Sequence, residues 1–74
     1  MSRRRTLRSK ELVSGLRKAG FEKRRQSGSH LIMKHADGRR VTVPLHNRDL
    51  KRPTMKAILR EAGLTEDQLR GLLK

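Results

Sequence analysis

The chain has 74 residues, no cysteine, one phenylalanine and no tryptophan or tyrosine, and its 20 Lys and Arg against seven Asp and Glu give a formal charge of +13. A chain of that length makes one domain that buries roughly 60% of its unfolded surface. Without cysteine it holds no disulfide and no thiolate metal site. Its apolar runs fall far short of a bilayer span or a signal-peptide core, which leaves the cytoplasm as the expected address.

A surplus of this size attracts polyanions, nucleic acid before membrane, because a membrane-surface helix wants aromatic residues that this chain lacks. The same scarcity argues against a sheet that stacks bases on aromatic platforms. Binding is expected to rest on phosphate contacts and shape, and to weaken steeply with salt.

Residues 1–8 carry Arg3, Arg4, Arg5 and Arg8 and read as a flexible basic arm, with residues 9–74 as the single domain. Ser9 to Ala19 predicts a first helix, capped by Ser9, with Leu12, Val13, Leu16 and Ala19 on its apolar side and Gly15 allowing close packing. Gly20 suits the helix end. Phe21 then opens a strand as a core anchor, with Lys23 and Arg25 on its face.

Gln26 to Ser29 reads as a turn, and Asp37-Gly38 as the tip of a hairpin. A two-residue tip pairs Ala36 with Arg39, and from there Lys34 with Val41, Ile32 with Val43 and His30 with Leu45. That register places His30, Ile32, Val41 and Val43 on one face, and Leu31 and Met33 on the other, where a partner would cover them. A three-residue tip would shift it.

Pro44 ends the third strand, and residues 46–49 form a polar loop. Thr54 after Pro53 is the expected cap of a second helix with Met55, Ile58, Leu59 and Ala62 as its apolar stripe, closed by Gly63. Thr65 with Gln68 forms a capping-box pattern for a last helix carrying Leu69, Leu72 and Leu73. The order α-β-β-β-α-α predicts an α+β fold, a three-stranded antiparallel sheet with helices on one face.

Of three histidines, His30, His35 and His46, none shows metal-ligand spacing, and no glycine-rich nucleotide loop is present. His35 before the hairpin tip reads as solvated, and His46 as a loop hydrogen-bonder or second proton carrier. His30 follows Gly28-Ser29 in a stretch with Lys23, Arg24 and Arg25 and no acid between Glu22 and Asp37. Ser29 beside it suggests a nucleophile, but neighbours on a strand point to opposite faces, which disfavours a serine hydrolase. An imidazole among cations suits RNA cleavage through the 2′-hydroxyl, a reaction that needs no metal or cofactor. Lys23, Arg24, Arg25, Ser29 and His46 are the candidate RNA contacts. A non-catalytic RNA-binding module and a ribosome-associated structural protein are the competing readings.

The ordered set Leu16-Arg17-Lys18-Ala19-Gly20-Phe21, Gly28-Ser29-His30, His35-Ala36-Asp37-Gly38-Arg39, Val41 to His46 and Thr54 to Leu64 resembles the HicA toxins of toxin–antitoxin systems. The resemblance implies a double-stranded-RNA-binding-domain-like fold and an endoribonuclease that cleaves messenger RNA. It also implies catalysis by His30 and a HicB-type antitoxin that masks the site. Leu31 stands where a polar residue, often a second histidine, commonly follows the catalytic one, and Pro53 where glycine commonly precedes the threonine.

Overall fold

A computed structural model describes residues 7–45 and 50–73, in the order α1 Ser9–Lys18, β1 Phe21–Ser27, β2 His30–His35, β3 Arg40–Pro44, α2 Arg52–Ala62 and α3 Glu66–Leu72. The three strands form one antiparallel sheet in the order β1-β2-β3. The predicted α+β class and element order are both present. His46 and the first six residues of the basic arm lie outside the described residues.

The core is a single cluster. Leu12, Val13 and Leu16 of α1, Met55, Ile58, Leu59 and Ala62 of α2, and Leu69 of α3 close over Phe21, Leu31, Met33, Val41 and Val43 of the sheet. Periodicity singles out most of these positions. Leu7 and Leu50 are the additions: both are buried, and the Leu50 N–H donates to the Leu7 carbonyl at 2.9 Å. A lone leucine in a polar stretch has no period to reveal it, so the end of the basic arm is tied into the core.

The hairpin register differs from the expected one by a single residue. His35 N–H donates to the Arg39 carbonyl at 2.8 Å, and Gly38 N–H donates to the His35 carbonyl at 2.9 Å. The tip is therefore three residues, Ala36 to Gly38, with Gly38 at φ +102°, the arrangement of a turn followed by a glycine bulge. Lys34 pairs with Arg40, Met33 with Val41, Ile32 with Thr42, Leu31 with Val43 and His30 with Pro44. Leu31 and Met33 thus face the helices and need no partner to cover them. His30 and Ile32 belong to the outer face, not to the face of Val41 and Val43.

Two helix starts also differ. The residue capping α1 is Arg8, whose N–H donates to the Glu11 carboxylate at 3.0 Å. Ser9 sits inside the first turn, buried, and its hydroxyl donates to the Pro44 carbonyl. Helix α2 is capped by Lys51, with Pro53 and Thr54 already in its first turn, since proline's missing N–H costs nothing there. The capping box of α3 is as expected: Gln68 N–H donates to Thr65 Oγ1 at 3.1 Å and Thr65 N–H to Gln68 Oε1 at 2.8 Å. Leu69 is buried, while Leu72 and Leu73 are half-buried.

Gly15 lets α1 and α3 touch. A Cβ there would lie 2.5 Å from Leu69 Cδ1 and 3.0 Å from Cγ. Gly15→Ala gains up to about 1 kcal/mol in helix propensity but overpacks a tight core at about 1–3 kcal/mol. Lower stability in chemical denaturation is the expected net result. In a Leu69→Ala background, where the obstructing atoms are gone, the same substitution should turn neutral or stabilising.

The two C-terminal helices are joined electrostatically. Glu66 accepts from Arg52 at 3.0 Å and from Arg70 at 3.0 Å. Burial pushes its pKa up, but the Arg70 hydrogen bond and the Arg52 charge outweigh it, and the carboxyl ends below its ordinary value of 4.5. A depressed acid contributes stability above the unfolded value and loses it as pH falls through the lowered folded value. Glu66→Gln should therefore cost up to about 1 kcal/mol near neutral pH. Urea titrations of both proteins should show the difference closing in acid, below the lowered pKa.

Candidate nucleic-acid interface

His30 is the first residue of the central strand, and it is exposed. Its pairing partners are Ser27 of β1 and Pro44 of β3, so it sits in the middle of the sheet's open end. The turn that delivers it is Gly28-Ser29. Gly28 has φ +58°, and no residue other than glycine has positive φ among the described residues. Glycine at the first central position with an ordinary second residue is the requirement of a type II′ hairpin turn. The Gln26 side-chain amide donates to the Gly28 carbonyl at 3.2 Å, and Leu45 N–H donates to the Ser29 carbonyl at 2.6 Å. Both bonds brace the turn.

Ser29 is thus a turn residue, not a strand neighbour of His30, and its described role is a backbone one. His30 makes no side-chain hydrogen bond with the described residues. Its ring is held by strand geometry and is open to a ligand.

A β-bulge decides where the basic residues of β1 go. Lys23 pairs with Met33 and Arg25 with Ile32, so the ladder shifts between them and Arg24 is the extra residue. Arg24 and Arg25 together oppose Ile32, which lies on the outer face with His30. Directly opposite strand residues share a face, and diagonal neighbours on it are about 7–8 Å apart. Arg25 is such a diagonal neighbour of His30.

Lys23 is on the other face, opposite buried Met33, and Gln26 follows it there opposite Leu31. The expected grouping of Lys23 with Arg25 on one face therefore splits, because an inserted residue breaks the period of two. Alternation alone cannot show a bulge.

The outer face carries Glu22 opposite Lys34 and Lys34 opposite Arg40, then Arg25, Ile32 and Thr42, then Ser27, His30 and Pro44. Glu22 is its one acid among the paired residues, at the end away from His30. Ile32 and Pro44 are half-buried apolar residues among polar ones. The histidine end of this face is cationic.

His35 has a different occupation. Its ring meets Phe21 edge to face at 5.2 Å and packs on Gly20, where a Cβ would lie 2.7 Å from Nε2. Nδ1 lies 3.1 Å from both the Asp37 N–H and the Asp37 carboxylate. This is a half-buried packing histidine, not the solvated one expected before a hairpin tip.

Arg39 is the structural cation that sequence reasoning passed over. It binds Asp37 at 2.8 Å, lies 5.4 Å from the centre of the Phe21 ring and donates to the Ala62 carbonyl at the end of α2. The Arg39 backbone N–H on the Asp37 carboxylate outweighs burial and, with the guanidinium, lowers the Asp37 pKa. An arginine after Asp-Gly is the available signal, since it sits where the hairpin tip meets the helix end.

Among the described residues no three His, Asp or Glu side chains gather as a metal site, and no helix is long and apolar enough to cross a membrane. In comparisons with known proteins, the family model described as the HicA toxin of bacterial toxin–antitoxin systems matches residues 9–64. No curated protein matches the chain at significance. The family match starts at α1 and runs through α2, so it contains the whole sheet and His30.

Proposed function

From the premise that the chain belongs to the HicA toxin family, and so is the toxin of a toxin–antitoxin pair, we propose that it is a metal-independent endoribonuclease acting on messenger RNA through His30. The observation that carries this reading is an exposed imidazole at the open end of the sheet, with Arg24 and Arg25 beside it on the same face.

The chemistry asks little of a small fold. Neutral His30 takes the proton of a ribose 2′-hydroxyl, whose oxygen attacks the adjacent phosphorus. The bond from phosphorus to the 5′-oxygen breaks, giving a cyclic phosphate and a free 5′-hydroxyl once that oxygen gains a proton. Arg24 and Arg25 stabilise charge gathering on the phosphorane oxygens. Leu31 is turned into the core, so His30 works without a second histidine in the next position.

The antitoxin expected of the family is read as a HicB-type protein that covers this end of the sheet. An acidic surface on it follows from charge complementarity with a +13 chain.

One observation favours the competing reading, an RNA-binding module without catalysis. A catalytic base is usually oriented by a third group, and His30 has no such partner among the described residues. His30→Ala separates the two. The catalytic reading expects cleavage of RNA to fall about 10²–10⁴-fold with unfolding temperature and RNA affinity nearly unchanged. A folded His30→Ala protein that cleaves at the original rate would remove His30 as the catalytic group, and an unsubstituted protein that binds RNA without cleaving it would leave the binding module as the better account.

A further inference from the structure

A second concave surface lies on the helix side of the sheet. Helix α1 and strand β1 diverge there into a cleft of about 750 Å³. Lys10, Arg17 and Lys18 line it from α1 and Lys23 from β1; all four are exposed, and no acidic residue lines it. None of the four makes an ion pair with the described residues. Ser14 and Gln26 supply neutral donors and acceptors. The floor is Val13, Leu31 and Leu45, of which Val13 is 9% and Leu31 5% exposed.

This composition selects among occupants. Four like charges held in a concave wall self-repel, and they focus a positive potential that an anion relieves. An amphipathic peptide helix would need a groove offering apolar pockets at several turns. Somewhat more than half of the cleft's exposed lining is apolar, but only three apolar side chains line it, and two of them, Val13 and Leu31, are buried, so it offers no row of apolar pockets. Polyanion backbone with small polar groups fits better than an apolar ridge.

The cleft also adjoins the proposed reaction centre. Leu31 follows His30 directly, Gln26 precedes the Ser27 that pairs with His30, and Leu45 is bonded to Ser29 in the turn. Cleft and histidine occupy the two faces of the same sheet end.

We propose that the cleft between α1 and β1 binds a segment of single-stranded RNA flanking the scissile phosphate, with phosphates on Lys10, Arg17, Lys18 and Lys23. A ribose or base edge meets Ser14 and Gln26. The strand continues over the Gly28-Ser29 turn to His30 on the other face. This rests on the ribonuclease reading and adds to it a substrate-positioning site distinct from the catalytic face. The bulge at Arg24 makes the division possible, since it turns Gln26 to the cleft and leaves Arg25 with His30.

The test is fluorescence anisotropy of a short, labelled single-stranded RNA with the full chain carrying His30→Ala, across a range of salt. Adding Lys18→Gln with Lys23→Gln should weaken binding about tenfold or more. The same pair should flatten the salt dependence by about 1.4 log units per log unit of salt, because each phosphate neutralised on a single strand accounts for about 0.7. Adding Gln26→Ala should weaken binding with the slope unchanged.

The control is Lys56→Gln with Arg60→Gln, which removes the same charge from the exposed side of α2. A cleft pair no worse than this control overturns the proposal. So does undiminished RNA binding accompanied by abolished binding to poly-glutamate, which would identify an acidic protein segment as the occupant. Failure of the catalytic reading shows separately, as RNA cleaved by the His30→Ala protein on a gel.

Discussion

The pairing of β2 with β3 is the constraint on which the rest of the molecule depends. Gly38 in the left-handed region closes a three-residue tip, and a strand's period of two then assigns every side chain of β2 to a face. Leu31 and Met33 go under the helices with Val41 and Val43. Each such side chain contributes about 1.5–3 kcal/mol by burial, a large share of what a chain this short can hold. A slip by one residue would expose Leu31 and Met33 and drive Lys34 and His30 inward. The same pairing that builds the core therefore keeps the imidazole in water.

Arg39 couples that hairpin to the helical layer. It links the tip through Asp37, covers Phe21 and meets the carbonyl end of α2, where Gly63 at φ +73° leaves room for its guanidinium. A cation at a helix C-terminus is favoured by the peptide dipoles. At the other end of the sheet, Ser9 and the Ser29 carbonyl hold β3 and the following residue. The sheet is thus pinned at both ends, while the outer face stays open.

Helix stripes, glycine ends and the Thr65–Gln68 box were legible in the sequence because each rests on local chemistry. The strand register was not, because Asp37-Gly38 suits a two-residue or a three-residue tip equally and only long-range packing decides between them. The bulge at Arg24 leaves no compositional trace, and it is what divides Lys23 from Arg25. Leu7 and Leu50 lack periodic neighbours, so nothing in their surroundings marks them as core. His30 was legible as a residue, and its face was not. That difference matters for the site. The histidine belongs to an exposed cationic face, and the second concave surface lies behind it.

The bond from the Ser9 hydroxyl to the Pro44 carbonyl spans 35 positions, and β3 flanks His30 through the same Pro44. Contacts so far apart in sequence close slowly, after local helices and turns have formed. On a ribosome, the end of the sheet that presents His30 cannot be completed until β3 has left the exit tunnel. A chain interrupted before Pro44 has its histidine and its arginines but lacks the strand that flanks them. The end of the sheet that presents His30 is therefore among the last parts of the sheet to exist during synthesis, and a chain still held on the ribosome carries the histidine without its finished surroundings.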